Sequence, residues 1–128
     1  MKKEFDKWNS LKKNVENYSG VYANTGEIWW CNIGINIGSE SCGKNHLFER
    51  PVLILKVLNT RLFLIAPLTT KNKKILNHIQ IPFTDKQSFL MIEQIKTISS
   101  KRLTRKIDRL NKKTLIELKQ KILNYLLN

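Results

Sequence analysis

The sequence predicts a mainly β fold, a small antiparallel barrel with a helix added at each end, and three observations carry that prediction. Two apolar runs, Val52 to Leu58 and Leu62 to Leu68, are separated only by Asn59-Thr60-Arg61, which is hairpin spacing with a residue that tolerates tight turns. Short alternating segments bounded by turn residues fill the rest of the middle of the chain. Leu115, Leu118, Ile122 and Leu126 then recur at helical spacing near the C-terminus. At 128 residues there is room for one core and no second sizeable domain.

Taken in order, Phe5, Trp8, Leu11 and Val15 lie three to four apart among lysines and asparagines, predicting an amphipathic helix over residues 3 to 18. Gly20 and Asn24-Thr25-Gly26 punctuate the chain before a first strand, in which Ile28, Trp30 and Asn32 alternate with Trp29, Cys31 and Ile33. Trp29 and Trp30 therefore face opposite ways, one toward the core. Gly34 to Glu49 is polar and reads as a long loop, the kind of segment that often carries function. The core hairpin follows, closed by Pro67, and a lysine-rich turn runs from Thr69 to Lys74.

His78 and Gln80 alternate with Ile79, Ile81 and Phe83, so His78 is expected to point outward, and Pro82 makes this segment an edge or a terminus. Ser88 to Ile98 has strand character throughout. From Ser99 to Leu110 the periodicity leaves two readings open, because Leu103, Ile107 and Leu110 fit a helix while Arg105, Ile107 and Arg109 fit one side of a strand. Thr114 with Glu117 forms a capping box for the C-terminal helix.

Lys and Arg number 23 against 10 Asp and Glu, a formal charge of +13 that favours a polyanionic partner, either nucleic acid or a strongly acidic protein. Hydrophobic residues at 41% and charged residues at 26% belong to a folding chain rather than a disordered one. Cys31 and Cys42 form no CxxC pair and no Cys/His array, so neither a zinc module nor a disulfide framework is indicated, and no metal or cofactor is expected. No apolar run is long enough to span a bilayer and residues 1 to 6 lack a signal-peptide stretch, so the expected location is the cytoplasm.

Four fragments stand in a particular order: Gly26-Glu27-Ile28-Trp29-Trp30, Gly38-Ser39-Glu40, Arg50-Pro51-Val52-Leu53-Ile54-Leu55 and Pro67-Leu68-Thr69-Thr70. A fifth, Glu93 to Ile98 with Lys101-Arg102-Leu103, follows. Together they resemble the MazF/PemK (Kid) family of toxins from type II toxin-antitoxin systems, over roughly residues 26 to 127. Each fragment alone is a weak signal; the ordered set is a strong one. The resemblance implies an SH3-like barrel (CcdB/PemK-like) in residues 25–128 with residues 1–24 as a helical extension. It also implies a homodimer, a cognate antitoxin, and metal-independent cleavage of single-stranded RNA to 2′,3′-cyclic phosphate and 5′-hydroxyl ends, without the ribosome. By motif, the family's catalytic arginine falls on Arg50 and its threonine on Thr69, while Glu40 takes a position near the cleft. Two departures stand out: the stretch Ser41 to Glu49 is longer than the family's short glycine-rich link, and Lys96 stands where an arginine is common, replacing a planar fork by a point charge.

These residues suit the chemistry. RNA cleaves itself when its 2′-hydroxyl attacks the adjacent phosphorus, so a protein need only align the attack, move protons and stabilise the dianionic phosphorane. A guanidinium matches phosphate oxygens with paired donors, which suits Arg50, and Thr69 adds a hydroxyl donor. Arginine is a poor base, so Glu40 and His46 are the candidates for proton transfer, with a slight preference for Glu40. Lys44, Thr70, Lys71, Lys73, Lys74 and Lys96 are expected to hold the RNA backbone and Gln94 to read a base edge. The ordinary readings are a strand-start arginine, a turn threonine, solvated histidines at 46 and 78, and a solvated basic surface. Two alternatives come from other classes: a CcdB-like toxin that binds DNA gyrase, and a passive SH3-like nucleic-acid-binding module. Neither requires Arg50 and Thr69 to meet, and the basic charge predicts an antitoxin that is small and acidic.

Overall fold

Seven strands and one long helix carry the architecture of the computed structural model, which describes residues 7, 20–33, 49–71, 78–83 and 87–128. The strands are β1 (Glu27–Asn32), β2 (Glu49–Asn59), β3 (Leu62–Thr69), β4 (Ile79–Ile81), β5 (Ser88–Leu90), β6 (Lys96–Ser99) and β7 (Leu103–Arg109), and the helix α1 is Lys112–Leu127. Apart from Lys7, the expected helix over residues 3 to 18 lies outside the described residues, as do most of the polar loop before β2 and Glu40, Lys44, His46, Lys73 and Lys74.

The hairpin forms where the sequence places it. Asn59 Oδ1 accepts the Arg61 amide proton at 2.8 Å, an Asx turn that fixes the reversal, and β2 and β3 pair antiparallel from Val52 opposite Pro67 onward. β2 begins at Glu49, three residues before the apolar run. Pro67 does not end the hairpin; it is buried inside β3, where the strand changes partner. Leu62–Ile65 pair with β6, whereas Leu68 and Thr69 pair with β5. Proline at the switch has no N–H to leave unpaired, and its carbonyl still accepts from the Met91 amide at 2.9 Å.

The segment Ser88 to Ile98 is not one strand: a 3₁₀ turn over Ile92–Gln94 divides β5 from β6, letting the two pair with different halves of β3. The ambiguous segment after Ser99 resolves as strand, with a short 3₁₀ turn at Ser100–Arg102 and then β7 against β1. Two register shifts in that ladder explain why its periodicity was mixed.

Among the described residues the strands follow the path β4-β5-β3-β2-β1-β7, with β6 branching from β3, and no ladder joins β4 to β7. The expected small barrel is met in part: the described residues form a mainly antiparallel sheet with one C-terminal helix, and no ladder among them closes it. The ends explain it: β4 has three residues and runs into Pro82, while β7 exposes Arg105, Lys106, Asp108 and Arg109, charges that discourage further pairing. One core cluster joins Ile28, Leu53, Ala66, Leu68 and Leu90 to Leu118 and Ile122 of α1. The second gathers Trp29, Cys31, Val52, Ile54, Phe63, Ile65, Ile98 and Leu103.

Gly26 secures the junction of sheet and helix. Its φ of 91° favours glycine, an added Cβ would lie 3.0 Å from a Leu115 methyl, and its amide and carbonyl bond to Ile54 and Leu110. The helix is capped by Asn111, whose side chain accepts from the Thr114 amide at 2.8 Å, and not by the Thr114–Glu117 box. Asn111 is the residue with extended backbone as the chain leaves β7, so Thr114 falls inside the first turn. Of the predicted stripe, Leu118 and Ile122 are buried, Leu115 is half-buried and Leu126 is exposed.

Candidate active site

The geometry that joins the two separated motifs starts from strand register. Arg50 is the second residue of β2 and lies opposite Cys31 of β1, which puts both side chains on one face. Continuing the β2–β3 register two residues beyond Val52–Pro67 aligns Arg50 with Thr69. The side chain closes the gap: Arg50 Nη1 donates to the Leu68 carbonyl oxygen at 3.1 Å, one peptide unit from Thr69. A guanidinium keeps its positive charge when it makes such a bond.

Thr69 ends β3, and its hydroxyl oxygen accepts the Lys71 amide proton at 3.2 Å. With an acceptor position occupied, the hydroxyl proton remains for donation to an anion. Thr70 and Lys71, the expected phosphate contacts, are exposed in the turn beyond. Lys96 pairs with Ile65 on β6, and alternation along β3 sets it on the face of Thr69 and Arg50. Gln94 is half-buried in the 3₁₀ turn between β5 and β6, its amide bonded to the Met91 carbonyl at 3.0 Å.

Cys31 shows how cationic this end of the face is. Burial pushes its thiol up to about 12, against the pull of Arg102 and Lys96 and with Glu49 adding to the rise, so it stays a neutral core thiol and no nucleophile. Arg102 is a cation that sequence reading left without a role. Its Nη1 donates to the Asn32 carbonyl at 3.2 Å, holding it beside the Arg50–Cys31 pair. Its signal was its place in Lys101-Arg102-Leu103, right after the segment containing Lys96.

The reverse face at the same end is built differently. Glu49 is wholly buried, accepts a hydrogen bond from the Thr104 hydroxyl and pairs with Arg105 at 3.3 Å. Arg105 in turn lies over the Trp30 ring, 5.3 Å from its centroid. The two tryptophans divide as expected: Trp29 is buried and donates its indole N–H to Glu27 at 3.0 Å, while Trp30 is half-buried. Burial would raise the Glu27 carboxyl, but the Asn24 amide, the Trp29 indole and Lys106 at 3.1 Å hold it below the usual carboxylate value.

His78 departs from expectation. It lies just before β4 with its side chain 2% exposed, because the Lys71 carbonyl and the Glu93 carboxylate supply polar partners to its two ring nitrogens. No group of three His, Cys, Asp or Glu suited to a metal occurs among the described residues, nor any helix long and apolar enough to cross a membrane.

Residues 24–126 match a family model described as PemK-like, MazF-like toxin of type II toxin-antitoxin system. No curated protein matches. Among solved structures, MazF from Deinococcus radiodurans superposes with a TM-score of 0.65 at 20% identity, covering 83% of this chain and 97% of that one. An endoribonuclease in complex with its cognate antitoxin, from a mycobacterial species, gives 0.61 at 16% identity over 81% and 94%. Toxin MazF-mt6 of Mycobacterium tuberculosis gives 0.59 at 20% over 78% and 95%. At these identities the structures establish the shared fold.

Proposed function

This chain belongs to the PemK-like, MazF-like toxin family of type II toxin-antitoxin systems, and from that premise we propose that it is a ribosome-independent endoribonuclease. In this reading it cuts single-stranded RNA by driving the 2′-hydroxyl onto the adjacent phosphorus, leaving 2′,3′-cyclic phosphate and 5′-hydroxyl ends. The observation that carries the reading is the 3.1 Å bond from Arg50 to the Leu68 carbonyl, which brings a guanidinium from one strand beside the threonine of another. Arg50 stabilises the dianionic phosphorane with its positive charge and paired donors, and Thr69 donates a hydrogen bond to the same oxygens. Lys96, Lys71 and Thr70 hold flanking phosphates, together with Lys44, Lys73 and Lys74, and Gln94 reads a base. Glu40 and His46 are the candidates for proton transfer.

The reaction asks for no metal because nucleophile and leaving group both belong to the RNA. The working form is a homodimer in the cytoplasm, with residues 25–128 as the toxin domain behind an N-terminal extension of residues 1–24. The partner that silences it is a small acidic antitoxin, which the charge of +13 would capture rapidly. The neighbouring mycobacterial endoribonuclease is itself bound to its cognate antitoxin. The test is incubation of the purified protein with a defined single-stranded transcript in EDTA, followed by mapping of fragment ends. Discrete cuts with cyclic phosphate termini are expected; intact RNA, or cleavage only after Mg²⁺ is added, refutes the mechanism.

A further inference from the structure

We infer that His78, backed by Glu93, is a positioning residue that holds the Thr69 hydroxyl for catalysis; this rests on the endoribonuclease reading above. The geometry is a chain of bonds through Lys71. The Lys71 amide donates to Thr69 Oγ1 at 3.2 Å, and the Lys71 carbonyl accepts from His78 Nδ1 at 3.1 Å. A carbonyl can only accept, so the Nδ1 position carries a proton. The other ring nitrogen, Nε2, lies 3.0 and 3.1 Å from the two oxygens of Glu93. Both backbone groups of one exposed turn residue are thus committed, one to the catalytic hydroxyl and the other to a buried ring.

What makes the ring a firm anchor is its setting. The His78 side chain is 2% exposed and that of Glu93 is 19% exposed. Glu93 sits in the 3₁₀ turn that follows β5, the strand whose Phe89 pairs with Thr69 and whose next residue, Met91, bonds to the Pro67 carbonyl. His78 therefore ties the far end of the Thr69–Lys71 turn to the same scaffold that holds its near end. An exposed turn has backbone freedom to lose, and displacement of a reacting group by about 1 Å can cost on the order of a hundredfold in rate. The same 3₁₀ turn carries Gln94, so the ring fixes the catalytic hydroxyl relative to the candidate base reader.

Two substitutions separate positioning from plain packing, because each retains one ring nitrogen. In His78→Asn the amide nitrogen takes the place of Nδ1 and keeps the Lys71 bond; in His78→Gln it takes the place of Nε2 and keeps only Glu93. Steady-state cleavage of a short single-stranded RNA is expected to show kcat reduced about tenfold or more in His78→Gln, with KM within about twofold, while His78→Asn stays within about threefold of wild type. Hydrogen exchange at the Lys71 amide, measured without RNA, should accelerate in His78→Gln and not in His78→Asn. Equal losses in the two variants, or unchanged Lys71 exchange in His78→Gln, overturn the inference. Should His78→Gln not fold, Glu93→Ala replaces it: removal of the backing carboxylate should speed Lys71 exchange, and unchanged exchange overturns the inference there too. Wild-type protein that leaves RNA intact refutes the nuclease reading instead, and the exchange comparison still decides whether His78 holds the turn.

Discussion

Glu49 and Arg50 are neighbours at the start of β2, carry opposite charges, and are sent to opposite faces of the sheet by strand alternation. Glu49 is fully enclosed and its carboxylate is met by side chains, the Thr104 hydroxyl and the Arg105 guanidinium. Arg50 is half-buried and reaches a backbone carbonyl at the end of β3, on the face that Lys96 and Arg102 also charge. The difference teaches what each charge is for. A buried carboxylate matched by donors locks strands together, whereas cations brought to one face favour the approach of an anion.

Substitution at the two adjacent positions tests that division most severely. Arg50→Ala should lower the cleavage rate by about 10²–10³, the usual effect of losing one donor to a developing oxyanion, with an unfolding midpoint close to wild type. Glu49→Ala should do the reverse, costing about 1–3 kcal/mol of stability for the hydrogen bonds it abandons and sparing most of the activity of the protein that folds. Parallel kinetics and denaturant titrations check both. A Glu49 variant that stays stable and loses its activity breaks the comparison.

Much of this division was legible in the residues themselves. The hairpin, the C-terminal helix, the opposed tryptophans and the edge character of the strand before Pro82 all follow from local periodicity and turn chemistry, which act within a few residues. Arg50 and Thr69 were identified through ordered motifs, but their approach depends on the β2–β3 register, visible only once the hairpin is paired. What stayed hidden is what long-range partners decide. Glu49 reads as a polar loop residue until Thr104 and Arg105 arrive from β7. His78 reads as solvent-facing until Glu93, fifteen positions later, turns to meet it. Likewise β3 divides its length between β5 and β6, and periodicity does not encode that branching.

A second buried carboxylate sharpens the structural half of the comparison through pH. Glu27 at the start of β1 has its folded pKa held below the unfolded value by the Asn24 amide, Trp29 and Lys106, which outweigh its burial. A group depressed in this way contributes stability that is fully present above the unfolded carboxylate pKa and disappears as pH falls through the lower folded value. Unfolding free energy should therefore drop on acidification below the ordinary glutamate range. In Glu27→Gln that acid limb should flatten, with lower stability at neutral pH. Denaturant titrations across the acid range check it; a limb of unchanged steepness would remove Glu27 from the set of structural charges.

The finest test concerns Arg105, where the structural face touches solvent. Its guanidinium is 54% exposed, bonded to Glu49 on one side and set over the Trp30 ring at 5.3 Å on the other. If this cation belongs to the structural face, its contact with Trp30 stabilises the fold by about 0.5–1 kcal/mol, the range for a solvent-exposed cation over an aromatic ring. Arg105→Gln, Trp30→Leu and the double variant form the cycle that isolates the pair from its separate contacts. The expected coupling is small and favourable, while RNA cleavage in each variant stays near wild type because Arg105 lies across the sheet from Arg50. No coupling, together with a lost cleavage rate in Arg105→Gln, would instead place this guanidinium with the functional cations and move the boundary between the two faces to the far side of β1.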